Sequence, residues 1–96
     1  MSPSIAFIGG GNMASSLIGG LLSSAIQVDQ ILVAEPDANK CDELQRLLDI
    51  KTTGNNPEAL DSDVVVLAVK PQLLQSVCRE LADSANKNQP LFISIA

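Results

Sequence analysis

Ile5-Ala6-Phe7-Ile8-Gly9-Gly10-Gly11-Asn12-Met13-Ala14 is the stretch on which the reading of this chain turns. Four apolar residues closed by glycine predict a short buried strand. From Asn12 to Ala25 the apolar residues Met13, Leu17 and Leu21, and beside them Ala14, Ile18 and Leu22, recur at helical spacing, which predicts a helix. Gly19 and Gly20 each cost that helix about 1 kcal/mol in propensity, and close packing of its backbone against a sheet is the expected compensation. Gly9 to Ala14 fits the pattern G-x-G-x-x-A in its strand-to-helix setting. Gly9 permits a tight turn, Gly11 leaves the backbone open to a pyrophosphate, and Ala14 is small enough for helix and strand to pack closely. No residue from Met1 to Val28 is charged, so a phosphate held here is met by backbone N–H groups and the helix dipole. A glycine turn without a ligand is the plainer alternative; the surrounding elements favour dinucleotide binding.

Working outward, Ile31 to Ala34 reads as a second strand, stopped by Glu35-Pro36. Asp37 is placed to cap a helix whose Ala38, Cys41, Leu44 and Leu48 share one apolar face. Ile50 to Thr53 reads as a third strand, and Asn56-Pro57-Glu58 as a helix start with an Asn cap. Val64 to Val69 is apolar throughout, as suits a central parallel strand covered on both faces. Pro71 opens a last helix with Leu74, Val77, Cys78 and Leu81 facing inward, and Leu91 to Ile95 is a fifth strand. Strict alternation of strands and helices predicts an α/β fold with right-handed crossovers. The expected architecture is a doubly wound, Rossmann-like parallel sheet of five strands in the order 3-2-1-4-5. Residues 1–96 then form one dinucleotide-binding domain. A doubly wound domain normally continues past its fifth strand, so the sequence reads as part of a longer protein with an uncovered last strand.

Further candidate residues follow from this layout. Glu35 ends the second strand, where a carboxylate accepts hydrogen bonds from the adenosine ribose and repels a 2′-phosphate. That charge predicts a preference for NADH. The alternative is a solvated strand-end acid. Ala68, Val69, Lys70 and Pro71 follow the fourth strand at the carboxyl edge of the sheet, where ligands lie in open parallel sheets, although Lys70 is equally readable as a surface charge. Asn56 lies at the same edge, and capping could be its whole role. Ser94, Ile95 and Ala96 end the fifth strand there as well.

Composition excludes several function classes. With 11 acidic against 6 basic residues and a net charge of −5, the chain is unsuited to nucleic acid or an anionic membrane. It has no His, which removes imidazole general-base chemistry and His metal ligands, and no metal site is expected. Two Phe with no Tyr or Trp leave little for base stacking. Cys41 and Cys78 have no metal spacing and are expected as buried helical thiols in a reducing compartment. The longest apolar run, Val64 to Val69, is far short of the roughly 20 residues of a membrane helix. No targeting segment is visible, and a cytoplasmic protein is expected.

Ile5 to Ala14, then Val65-Val66-Leu67-Ala68-Val69-Lys70-Pro71-Gln72, then Ile93-Ser94-Ile95-Ala96, resemble the start of the pyrroline-5-carboxylate reductases. The resemblance covers the whole chain in order. Its glycine motif is common to many dehydrogenases, and the Ala-Val-Lys-Pro segment is more specific. It implies a reductase that passes hydride from NAD(P)H to the C=N bond of pyrroline-5-carboxylate, giving proline. It also implies cofactor contacts at Ile8, Gly9, Gly10, Gly11, Asn12 and Met13, at Glu35 and Asn56, at Ala68 to Pro71, and at Ile95 and Ala96. In that family the substrate pocket and the oligomer contacts come mainly from a helical C-terminal domain. No residue of this chain is a convincing proton donor, so no catalytic residue is assigned. Many family members use NADPH, against the preference that Glu35 suggests. The open alternatives are a β-hydroxyacid dehydrogenase or an F420-dependent NADP reductase with a similar front half, and a nucleotide-sensing module without chemistry. A methyltransferase fits less well, because Phe7-Ile8 stands where those enzymes usually carry an acid.

Overall fold

The computed structural model describes residues 3–24, 26–83 and 90–95. Five strands, β1 (Ile5–Ile8), β2 (Ile31–Ala34), β3 (Lys51–Thr53), β4 (Val64–Leu67) and β5 (Leu91–Ser94), alternate with three helices. The helices are α1 (Asn12–Leu22), α2 (Ala38–Leu48) and α3 (Pro71–Asp83), and two short 3-10 turns cover Val28–Gln30 and Asn56–Asp61. All strands are parallel, in the order β3-β2-β1-β4-β5. β1 lies at the centre, with Ile5 opposite Ile31 on one side and Val64 on the other. The expected fold class and strand order are the observed ones.

Period-two alternation along each central strand feeds two cores. On one face Ala6, Ile8, Ala34, Val65 and Leu67 pack with Ala59 and Leu60 of the second 3-10 turn and with Val77 and Leu81 of α3. On the other, Phe7, Ile31, Val33 and Val66 pack with Ala14 and Ile18 of α1, Leu44 of α2 and Ile50. Helices on both faces are why β4 is apolar at every position. Side chains as fully buried as Phe7, Ile18 and Val33 stabilise the fold by about 1.5–3 kcal/mol each.

Several local expectations are corrected. Of the apolar residues of α1 only Ala14 and Ile18 are buried, while Met13 is 59% and Leu17 42% exposed. A single helix laid on a sheet hides one stripe, and these two lie round the side of it. Ala25 lies outside the described residues. Gly19 and Gly20 do not mark a close approach, since a Cβ at either would meet nothing within 4 Å. Cys78 is exposed and Cys41 half-buried, and both are free thiols. Ala38 is exposed at the start of α2, before the helix reaches the sheet. β4 ends at Leu67, so Ala68, Val69 and Lys70 form a loop. Asp37 does cap α2, accepting from the Asn39 N–H at 2.9 Å. In β5, Leu91, Phe92 and Ile93 are exposed, consistent with an edge strand that no described helix covers. Among the described residues no helix is long and apolar enough to cross a membrane.

Candidate functional site

The glycine loop leaves the sheet where the chain order reverses, between β2 and β4. Ladder bonds hold its start on both sides: the Gly9 N–H donates to the Ala34 carbonyl at 2.9 Å, and the Ala68 N–H to the Ile8 carbonyl at 2.8 Å. Gly9 has φ +104°, and a Cβ there would lie 2.4 Å from the Ala68 carbonyl oxygen. Gly10 is a packing point: a Cβ on it would stand 3.0 Å from Leu44 Cδ1 and 3.3 Å from Glu35 Cβ. At Gly11 a Cβ would meet nothing within 4 Å, so this part of the loop faces open space.

Gly11 is the N-cap of α1, with no side-chain cap and no acid in the first turn. The first hydrogen bond of the helix runs from the Ser15 N–H to the Gly11 carbonyl. The N–H groups of Asn12, Met13 and Ala14 therefore have no partner within the helix. With the positive end of the helix dipole, they form a site for an anion next to a backbone that carries no Cβ. These residues fit the pyrophosphate of a dinucleotide.

A cavity of about 680 Å³ opens beside the loop. Of the residues singled out by sequence, Ile8, Gly9, Gly10, Gly11, Glu35 and Asn56 line it, together with Ala68, Val69 and Lys70. A smaller cavity of about 290 Å³ shares Gly11 and the Ala68–Lys70 loop and adds Asn12, Met13, Ala14, Pro71 and Ile95. Every predicted contact except Ala96, which lies outside the described residues, is thus brought to one edge of the sheet. Sequence reasoning missed Pro36, Lys40, Leu73, Ser76, Val77 and Glu80, which also line the larger cavity. Four of these sit on α3 at spacings of three to four, a stripe legible in the sequence had the side of α3 been weighed as well as its core face.

Glu35 does more than its position at a strand end suggests. It is only 7% exposed, and its carboxylate points into the loop. Oε1 accepts from the Gly10 N–H at 2.8 Å and Oε2 from the Asp37 N–H at 2.9 Å. It is therefore not the solvated acid that was the alternative. It ties the glycine loop to the start of α2. Glu35→Gln should lower the unfolding free energy by about 1–3 kcal/mol, because the amide accepts from one of these N–H groups and turns a donor towards the other. Urea titration of both proteins checks this, and equal midpoints would remove the strap from the account.

Asn56 is also not the expected cap. Asn55 is the N-cap, without a side-chain hydrogen bond, and Asn56 follows it inside the 3-10 turn. From there its Nδ2 donates to Glu80 Oε1 on α3 at 2.9 Å. Glu80 can only accept, so the amide nitrogen must face it. Oδ1 is left buried and, among the described residues, without a partner.

A parallel sheet in this order, with a glycine turn and a bare helix start at the point of reversal, defines a Rossmann-like domain. Residues 4–96 match the family described as NADP oxidoreductase, coenzyme F420-dependent, and the chain belongs to that family. Similar curated proteins include a pyrroline-5-carboxylate reductase of Pseudomonas aeruginosa, 46% identical over 96 residues, covering 99% of this chain and 35% of the relative. Another, from Haemophilus influenzae, is 44% identical over 93 residues, covering 96% of this chain and 34% of the relative. Among solved structures, a pyrroline-5-carboxylate reductase from Coxiella burnetii matches with a TM-score of 0.90 at 38% identity, over 100% of this chain and 36% of that one. The chain thus spans about a third of the length of the relatives it matches.

Proposed function

We propose that this chain is the dinucleotide-binding domain of a pyrroline-5-carboxylate reductase, which reduces the C=N bond of 1-pyrroline-5-carboxylate to give L-proline. The observation that carries the binding half of this reading is the start of α1, where three N–H groups lack a partner within the helix and the naked Gly11 beside them opens on empty space, in a segment without charge. The likeness to reductases of that name supports the substrate. Bound NAD(P)H supplies the hydride. Gly11 and the α1 N–H groups hold the pyrophosphate, Glu35 fixes the loop that presents them, and Asn56 stands at the adenosine end. The Ala68–Pro71 loop, with Met13 and Ile95, walls the nicotinamide end. Ile8, Gly9, Gly10, Ala14 and Ala96 complete the contacts expected from sequence.

On this reading the residues that hold the imine belong to a further, helical domain, which also makes the contacts of a homo-oligomer in the cytoplasm. Open Leu91, Phe92 and Ile93 on β5 suit an edge that other structure covers. The test is a titration with NADPH and NADH followed by nicotinamide fluorescence, to which a chain without Trp or Tyr adds little background. Binding of at least one cofactor is expected. Proline formation by residues 1–96 alone is not, because orienting the two reactants contributes several kcal/mol that this domain does not supply. Failure to bind either cofactor overturns the binding site. Turnover by the isolated chain overturns the placing of the substrate groups.

A further inference from the structure

We propose that Glu80 of α3 reads the base of the cofactor, its carboxylate accepting from the 6-amino group of adenine, so that the domain selects adenine dinucleotides over those that carry a 6-oxo purine. The inference deepens the dinucleotide reading above and rests on it.

The first observation is the wall that α3 gives the larger cavity. Leu73, Ser76, Val77 and Glu80 form one stripe along it, at spacings of three to four. Leu73 and Val77, with Val69 and Pro36, supply the apolar lining that the flat faces of a purine need. A base held in this way is identified by what meets its polar edge.

The second observation is what the stripe offers there. The Ser76 hydroxyl donates to the Leu73 carbonyl of its own helix at 3.0 Å, so its proton is engaged. Asn56 Nδ2 is engaged with Glu80 Oε1 at 2.9 Å, and Asn56 Oδ1 is buried. Glu80 is exposed, and among the described residues no hydrogen bond or ion pair engages its other oxygen, Oε2. A carboxylate only accepts, so the group that completes Glu80 carries an N–H. Adenine presents such a group at its 6-position. Hypoxanthine presents an oxygen there, which the carboxylate repels, and has its N–H one ring position away.

The third is place. In doubly wound folds the adenosine lies beyond the end of the second strand, here Glu35 and Pro36, which line the same cavity as Glu80. Glu80 is about 10 Å past Leu73 along α3, away from the Ala68–Pro71 loop. It does not border the smaller cavity of Met13 and Ile95 at the nicotinamide end. Its tie to Asn56, which follows β3, holds it at the adenosine side.

The test titrates wild type, Glu80→Gln and Glu80→Ala with NADPH and NADH, and with the analogue of each in which hypoxanthine replaces adenine, followed by nicotinamide fluorescence. Wild type is expected to bind the adenine form about five- to tenfold more tightly than the hypoxanthine form. Glu80→Ala should bring that ratio to about one. Glu80→Gln, whose amide can donate to the 6-oxygen, should tighten binding of the hypoxanthine form, a gain that the loss of a structural contact does not produce. Equal binding of the two bases by wild type overturns the proposal. So do variants that weaken both forms alike and leave the ratio unchanged, which would make Glu80 a prop for Asn56 only. In either case the cleft remains a dinucleotide site. Binding of no dinucleotide by wild type overturns the proposal together with the reading beneath it.

Discussion

Gly9→Ala is expected to cost about 3 kcal/mol or more of unfolding free energy, a large share of the roughly 5–15 kcal/mol that holds a typical domain together. Two effects add. At φ +104° a residue with a Cβ is strained by about 1–3 kcal/mol wherever it stands. The new methyl group would also lie 2.4 Å from the Ala68 carbonyl oxygen and 3.0 Å from its carbon, which are backbone atoms and not the movable tip of a side chain. Ala68 cannot readily retreat, because its N–H is bonded to the Ile8 carbonyl at 2.8 Å. Relief requires β1 and β4 to part at the centre of the sheet. Equilibrium denaturation measures the effect, and a midpoint equal to that of wild type would contradict this geometry.

Gly11→Val should do the opposite: leave the fold intact and abolish binding. Gly11 has φ −79° and ψ −168°, an extended conformation that valine adopts without strain. Its Cβ would meet no protein atom within 4 Å, so unfolding free energy should change by less than about 1 kcal/mol. The open space there is where a pyrophosphate must come against the backbone, and the valine methyl groups fill it. Affinity for NADPH and NADH should fall by about a hundredfold or more, some 3 kcal/mol. Titration and denaturation of the same preparation separate the two quantities. Unchanged affinity in a folded Gly11→Val protein would move the ligand elsewhere. Two glycines two positions apart in one motif thus have different jobs, one in the sheet and one in the cleft.

Much of the candidate site is legible in the sequence. Glycine at 9 and 11, a small residue at 14, and apolar strands before and after are local features, and each implies its own backbone geometry. The Ala68–Pro71 loop was legible for a topological reason: parallel strands joined by helices all end at the same edge, so whatever follows them gathers there. Asn56 was expected at that edge as a cap or as a cofactor contact, and of these the cap is overturned, since Asn55 takes that position. Capping was the short-range option for its amide, and the structure uses the long-range one, to Glu80, 24 residues on.

The sequence by itself determined the five strands, their order in the sheet and the edge at which the candidate site lies, while the helix expected from Asn56 is a 3-10 turn and the fourth strand stops at Leu67. Hydrophobic periods of two and near four are written along a few neighbouring residues, and right-handed crossovers leave few ways to join them. Only the tertiary structure decided which way each polar side chain turns. Glu35 could address solvent, a ribose or the loop, and it takes the loop because Gly10, 25 residues earlier, brings an N–H to within 2.8 Å once β1 and β2 pair. Lys40 reaches the cleft because the cap at Asp37 fixes where α2 begins and the packing of Leu44 fixes how it is turned. Such choices depend on distances between residues remote in the chain, and those distances exist only after burial has brought the strands and helices together.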